Sequence, residues 1–311
     1  MLIRFALLTA LCCAAPAFTE DAPAPVRVMS FNLWGGGESG MLPLKRTADV
    51  IRAAKADIVG VQEAYGREVE GVRPDRSKEL ADMLGWQHAD QGDGKTILSR
   101  YPIESLTPGK HGARIALPGG ESLYLFNVHL FHAPYQPYQL LKIDYEDAPF
   151  LETEAELIAA AEAARGPELA ETLAELKPLL ESGAYIALTG DFNEPSHLDW
   201  TARAKEAGVV PMAVAYPASK QAAALGLVDT FRNVHPDEAA RPGFTWTPTT
   251  RPDDPTDRHD RIDFVYASPN LSVLRAEIVG ENNTAADIGV RPYPSDHRAV
   301  AADLAPAPRP R

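Results

Sequence analysis

The chain has 311 residues, with 43 Asp and Glu against 30 Lys and Arg and a formal net charge of −13. At 45% hydrophobic and 23% charged it has ordinary globular composition, which excludes a disordered, collagen-like or coiled-coil chain. The acid excess argues against a protein that holds long nucleic acid on a broad basic surface, because that mode needs many Lys and Arg contacts to phosphate. It leaves phosphate chemistry at a single site open, since a bound divalent cation reverses the local field.

Residues 1–17 have the pattern of an export signal: Arg4, a short apolar run from Phe5 to Ala15, and Ala15-Pro16-Ala17 as a small-x-small cleavage site. The expected location is therefore periplasmic or secreted. Lipid anchoring is disfavoured, because Leu11 and Cys12 are poor residues for that processing. Cys12 and Cys13 leave with the signal, so the mature chain has no disulfide and relies on a large core. Residues 18–25 form a short linker. No other segment is long and apolar enough to span a bilayer, so no stable membrane insertion is expected.

From residue 26 to 304 the pattern alternates strand and helix, which predicts one α/β domain. Strands are expected at Val26–Leu33, Ile58–Val61, Thr96–Leu98, Ser122–Val128, Ala184–Leu188, near Phe264 and around Ala299–Leu304. Helices are expected at Leu44–Ala56, Asp75–Trp86 and His197–Ala207. His132–Tyr145 is rich in Tyr and Pro, and Glu152–Ser182 in Ala, Leu and Glu. Gly166-Pro167 is expected to split the latter into two helices, giving a helical insert at about 131–182. Residues 305–311, rich in Pro, read as a disordered tail.

Polar residues stand where strands end. The clusters are Asn32 with Trp34 and three glycines, Gln62-Glu63, Asn127-Val128-His129-Leu130, Gly190-Asp191-Phe192-Asn193, Arg261-Ile262-Asp263 and Ser295-Asp296-His297. Each places an oxygen donor or imidazole beside a buried apolar run, where it is costly unless paired or bound to metal. Taken singly, each has a plain structural explanation as turn residue, surface acid or satisfied core histidine. Converging, they make a site for a hard cation, which prefers carboxylate and amide oxygens.

The order of these six clusters resembles that of the endonuclease/exonuclease/phosphatase superfamily, the deoxyribonuclease-I-like hydrolases. Ile97–Ile103, Val228-Asp229-Thr230-Phe231 and Thr245-Trp246 support the resemblance, which spans Val26 to Leu304. It implies a four-layer α-β-β-α sandwich, with two mixed β-sheets packed face to face and helices outside. It further implies a divalent metal, Mg²⁺ being the expected ion and Ca²⁺ or Mn²⁺ the alternatives. Asn32, Glu63 and Asp296 are then metal ligands or near-ligands, and His129, Asp191, Asn193, Asp263 and His297 are catalytic. In that assignment Asp191 and Asn193 orient water and a phosphate oxygen, His129 binds the phosphoryl group, and Asp263 holds His297. Either Asp191 or His297 takes the water's proton. Abasic-site endonucleases of the family commonly carry an acid two residues after the first Asn, where this chain has Trp34, which lowers a repair-nuclease reading.

The insert leaves its strand directly after His129 and so starts near the site. His132, Tyr135 and Tyr138, with Trp34, are the candidate substrate contacts; the alternative is a surface elaboration on a sheet edge. Gly92-Asp93-Gly94-Lys95-Thr96 is not a phosphate-binding loop, because a strand-like run follows it. Asp257 to Asp263 is not a zinc site, because no cysteine or His-Glu-x-x-His helix accompanies it. The sequence points to a metal-dependent hydrolase of small or lipid-derived phosphate esters. An extracellular nuclease is the alternative, with nucleic acid as its partner. A catalytically inactive binding protein is the third reading, disfavoured because all six clusters are present; no protein partner is implied.

Overall fold

The computed structural model of the protein describes residues 24–308, so the expected export signal lies outside the described residues. The first half of the domain contains β1 (Val26–Asn32), α1 (Lys45–Ala54), β2 (Ile58–Gln62), α2 (Arg76–Leu84), β3 (Gln87–Gly92), β4 (Lys95–Ser99), β5 (Ile103–Leu106), β6 (Gly112–Ala116) and β7 (Ser122–His129). The second half contains α3 (Gln136–Leu141), α4 (Glu154–Glu181), β8 (Tyr185–Asp191), α5 (Ala202–Glu206), α6 (Pro217–Ala224), β9 (Val228–Asp229), α7 (Thr230–Val234), β10 (Asp263–Ala267), β11 (Leu271–Gly280), β12 (Ile288–Gly289) and β13 (Ala299–Pro306).

Two mixed sheets result, a seven-stranded one in the order β12-β11-β13-β1-β2-β4-β3 and a six-stranded one in the order β5-β6-β7-β8-β10-β9. Alternation of side chains along a strand decides what each face does. In β1, Val26 and Val28 join Ile58, Leu125, Ala187 and Val265 in a core between the sheets. Met29 and Phe31 point the other way, into a layer with Ala48 and Ile51 of α1 and Leu80 of α2. The outer face of the second sheet, with Phe126, Ile186 and Phe264, is covered by Leu169, Leu173 and Leu176 of α4 and Ala218 of α6. The architecture is the expected α-β-β-α sandwich.

The same alternation positions the site. Along the inner face the residues run Val26, Val28, Ser30, Asn32 in β1 and Leu123, Leu125, Asn127, His129 in β7. In β8 they run Tyr185, Ala187, Thr189, Asp191. Apolar residues fill the interior, and polar ones collect at one end of the sandwich. Gly60 permits close approach there: a Cβ on it would lie 2.0 Å from the Thr189 hydroxyl and 2.6 Å from Asn127 Oδ1. Buried amides cross the gap, with Gln62 Nε2 donating to Asn127 Oδ1 at 2.6 Å and Asn127 Nδ2 donating to Gln91 Oε1 at 3.0 Å.

Three expectations need correction. Residues 154–181 form one helix that continues through Gly166 and Pro167. A proline costs an interior hydrogen bond, but this helix is clamped on both sides of Pro167. Leu157 and Ala161 pack on Trp200 and Tyr216, and Leu169 and Leu176 pack on the sheet. The helix expected from His197 is confined to Ala202–Glu206, because Thr201 caps it by accepting from the Ala204 N–H at 3.0 Å. Ala305 and Pro306 belong to β13 rather than to a tail, paired with Ser272 and Leu271. A proline at a strand end removes no interior ladder bond.

Candidate active site

Register brings the second sheet's polar residues into one row: His129 lies opposite Asp191, and Asp191 opposite Asp263. Facing them from the first sheet, Asn32 pairs with Gln62, and Glu63 follows at the turn out of β2. The run from Trp34 to Gly37 turns sharply with positive φ at all four residues, a conformation that glycine adopts without a Cβ clash. That turn aims the Gly35 N–H at Glu63 Oε2, 2.9 Å away.

Asn32 is fully buried and joins the two acids. Its Nδ2 donates to Glu63 Oε1 at 3.1 Å and to Asp191 Oδ2 at 3.0 Å, while its Oδ1 accepts from the Trp34 N–H at 2.9 Å. The amide is thus a strut between the two carboxylates. Asp191 Oδ1 accepts from the Asn193 N–H at 2.8 Å, with Asn193 in the left-handed region that asparagine tolerates. The Asn193 side chain donates to the Leu130 carbonyl at 2.9 Å, which fixes its amide beside the strand ends.

His297 Nδ1 lies 2.9 Å from Asp263 Oδ2, and its Nε2 lies 3.7 Å from Asp191 Oδ2. His129 Nε2 lies at the same 3.7 Å from that oxygen, so two imidazoles flank one carboxylate. Burial alone lowers the pKa of His297, but the Asp263 and Asp191 carboxylates outweigh it and raise the pKa well above the ordinary imidazole value. Burial also raises Asp263, against the pull of His297. Asp263 is positioned by strand β10 and by Thr245, whose hydroxyl accepts from its backbone N–H at 3.1 Å.

Asp296 is pushed up to about 7, first by burial and then by the negative field of Glu63 and Asp191, with His297 opposing. Its Oδ1 is buried with no hydrogen-bond partner among the described residues, and so is Asp263 Oδ1. Orphaned carboxylate oxygens beside other carboxylates are what an oxygen-loving divalent cation satisfies, so the residues present fit such an ion. Asp191, Asp263 and His297 also place one ligand atom each within 4.8 Å of one another. Holding an ion on His297 would take up the ring nitrogen that faces Asp191, whereas Glu63, Asp191 and Asp296 leave both nitrogens of His297 free of the ion.

The candidate substrate residues divide. His132, Tyr135 and Tyr138 line a pocket of about 250 Å³ that Asn193 also borders. Tyr135 and Tyr138 turn their hydroxyls inward, to Asp260 Oδ2 at 2.9 Å and to Asp257, so the rings rather than the hydroxyls face the pocket. Trp34 does not line it; its ring lies against Gly40. His197 is held by the Ser219 hydroxyl at 2.8 Å, and Asp199 accepts from Arg261 and Arg232. Both are structural. Two residues that carry the site were given no role from the sequence. Trp246 packs its ring 4.9 Å from that of His297, and Tyr145 closes the pocket. Trp246 belongs to a supporting motif, and Tyr145 ends the stretch rich in Tyr and Pro, but neither position by itself marks a pocket wall.

The described residues contain no helix long and apolar enough to cross a membrane. A family model described as "Endonuclease/Exonuclease/phosphatase family" matches residues 29–297. An uncharacterised protein of Caenorhabditis elegans is 29% identical over 300 residues, covering 89% of this chain and 90% of the relative. The crystal structure of an endonuclease/exonuclease/phosphatase from Beutenbergia cavernae aligns with a TM-score of 0.56 at 18% identity, over 91% of this chain and 72% of that one. Truncated TDP2 of Caenorhabditis elegans aligns with a TM-score of 0.54 at 19% identity, over 90% of this chain and 97% of that one.

Proposed function

This chain belongs to the endonuclease/exonuclease/phosphatase family of divalent-metal-dependent phosphoester hydrolases, and from that premise we propose that it cleaves phosphate esters of small or lipid-derived alcohols by direct attack of water. The observation that carries the mechanism is the placing of His129 and His297, each with Nε2 3.7 Å from the same Asp191 oxygen, while Asp263 holds the far side of His297.

Glu63, Asp191 and Asp296 would hold the cation, with Asn32 fixing the first two at their separation. When bound, the cation neutralises charge on the phosphoryl oxygens and acidifies a water. His129 and His297 donate N–H bonds to the phosphoryl group. His297 is kept as imidazolium by two carboxylates, so it serves as donor and charge stabiliser. Asp191 accepts the water's proton as the new P–O bond forms and the ester P–O bond breaks. Asp263 fixes the orientation of the imidazolium and helps to keep it charged. Charge supports a compact substrate: the chain carries −13, which disfavours a long polyanion. Arg4, the apolar run to Ala15 and Ala15-Pro16-Ala17 support action after export.

The test is hydrolysis of a bis-aryl phosphate, an aryl phosphate and DNA with and without added Mg²⁺, Ca²⁺ or Mn²⁺. Asp191→Ala and His297→Ala are each expected to lower kcat by about 10²–10⁴, and chelation to abolish turnover. Activity that survives both substitutions and chelation would overturn the reading, and DNA cleavage faster than that of the aryl esters would make the protein a nuclease.

A further inference from the structure

We propose that the pocket beside Asn193 is an aromatic cage for a quaternary or substituted ammonium group carried by the substrate; this deepens the hydrolase reading and rests on it. The walls are Tyr138, Tyr145, Trp246 and His132. Successive rings meet edge to face: Tyr135 and Tyr138 have centroids 4.9 Å apart at 87°, Tyr138 and Tyr145 5.6 Å apart at 83°, and His132 and Tyr145 6.2 Å apart at 73°. Rings at right angles enclose a rounded group. No two of these rings lie parallel so as to sandwich a flat base among the described residues.

Charge selects the guest. Asp144 lines the mouth, exposed, and Asp257 lies behind the Tyr138 hydroxyl. No Lys or Arg lines the pocket among the described residues. The site therefore repels a second phosphate and attracts a cation, which the ring faces favour as well. At about 250 Å³ the space is below the roughly 300–1,000 Å³ of sites for drug-sized ligands, so it suits a small headgroup.

The walls are held before any ligand arrives. Tyr138 donates to Asp257, accepts from Trp246 Nε1 at 3.4 Å and is 9% exposed, so little ordering is needed on binding. The cage also adjoins the reacting centre. Asn193 borders it and gives its backbone N–H to Asp191, and Trp246 packs between the pocket and His297. An ester with its phosphate between the two histidines sets the ammonium of its alcohol arm in the cage.

The experiment compares two aryl phosphodiesters that differ at one atom: the phosphocholine ester, and the ester with an uncharged arm in which a tert-butyl group replaces the trimethylammonium. The wild-type protein is expected to favour the choline ester by about tenfold in kcat/KM. Tyr145→Leu should bring that ratio to about one, and Tyr145→Phe should restore it, because the ring and not the hydroxyl is required. Should Tyr145→Leu fail to fold, Asp144→Asn at the exposed mouth should lower the ratio severalfold. Equal turnover of the two esters by the wild-type protein would overturn the cage. If neither these esters nor a bis-aryl phosphate is cleaved, the hydrolase reading fails. The cage then stands or falls on whether choline chloride, and not sodium chloride, changes Trp246 fluorescence. Glycerophosphocholine in solution and phosphatidylcholine vesicles, tested side by side, tell a soluble ester from a lipid headgroup.

Discussion

His297 shows how a single neighbour sets the chemistry of a side chain. Its Nδ1 faces Asp263 Oδ2 at 2.9 Å and its Nε2 faces Asp191, so Asp263 fixes which nitrogen is presented to substrate. Asp263→Asn keeps the shape but replaces one carboxylate oxygen by an amide group. The imidazole then loses both its orientation and part of the field that keeps it protonated. The expected result is a fall in kcat of about 10²–10³ with KM little changed. The alkaline limb of the pH–rate profile should also move to lower pH, because the remaining carboxylate holds the proton less firmly. A variant with unchanged kcat and an unchanged profile would show that the dyad is structural only. The dyad's two residues were legible in the sequence because each ends or adjoins a strongly apolar run. Their partner Thr245, whose hydroxyl meets the Asp263 N–H, and Trp246, which packs on His297, were not assigned roles. Those roles depend on where the loop ahead of β10 folds back, and no local pattern encodes that.

Helix α4 illustrates why some elements were read correctly and others were not. Its composition predicted helix, and Pro167 predicted a break that tertiary packing overrides. Strand β11 escaped detection because a bulge between Val273 and Arg275 shifts its alternation, so the two-residue period breaks midway. Strands β3 and β5 lie at sheet edges and lack the apolar alternation that marks a half-buried strand. Just ahead of Gly166-Pro167 in α4 sits Arg165, fully buried, which donates to Gln136 Oε1 at 2.7 Å and to the Pro134 carbonyl at 2.9 Å. It thereby ties the helix to the loop that builds the aromatic pocket. Its electrostatic neighbour Glu194 is pushed up to about 7 because burial outweighs both the field of Arg165 and the Ala218 N–H. The folded state thus holds a proton on Glu194 that the unfolded chain releases near pH 4.5. Stability from this group is full below that pH and falls as pH rises to about 7, by on the order of 3 kcal/mol. Glu194→Gln stays neutral throughout, so the difference in unfolding free energy between variant and wild type should grow in the variant's favour from pH 4.5 to 7 and then level off. Denaturant unfolding at several pH values checks this, and a constant difference would refute it.

Across the whole molecule, the sandwich gathers its acids at the end where the two sheets' inner faces turn polar. Glu63, Asp191 and Asp296 approach one another in a chain that already carries −13. Without a counter-ion this concentration of charge opposes folding, as burial and repulsion both disfavour the ionised Asp296. A divalent cation bound there binds the native state alone and stabilises it by mass action. At a hundredfold excess over Kd the gain is about 2.7 kcal/mol, or roughly 5 °C in Tm for a domain of this size. Asp296→Asn removes one charge from the cluster and one ligand from the ion. Its two effects run in opposite directions: the metal-free protein should melt at or above the wild-type temperature, while most of the rise with Mg²⁺ should disappear. Sodium at matched ionic strength separates this from general screening, which would raise Tm alike in both proteins. An Mg²⁺-dependent rise of equal size in the variant would place the cation elsewhere, with the Asp191, Asp263 and His297 triangle as the remaining candidate. In that case Asp263→Asn, rather than Asp296→Asn, should abolish the shift.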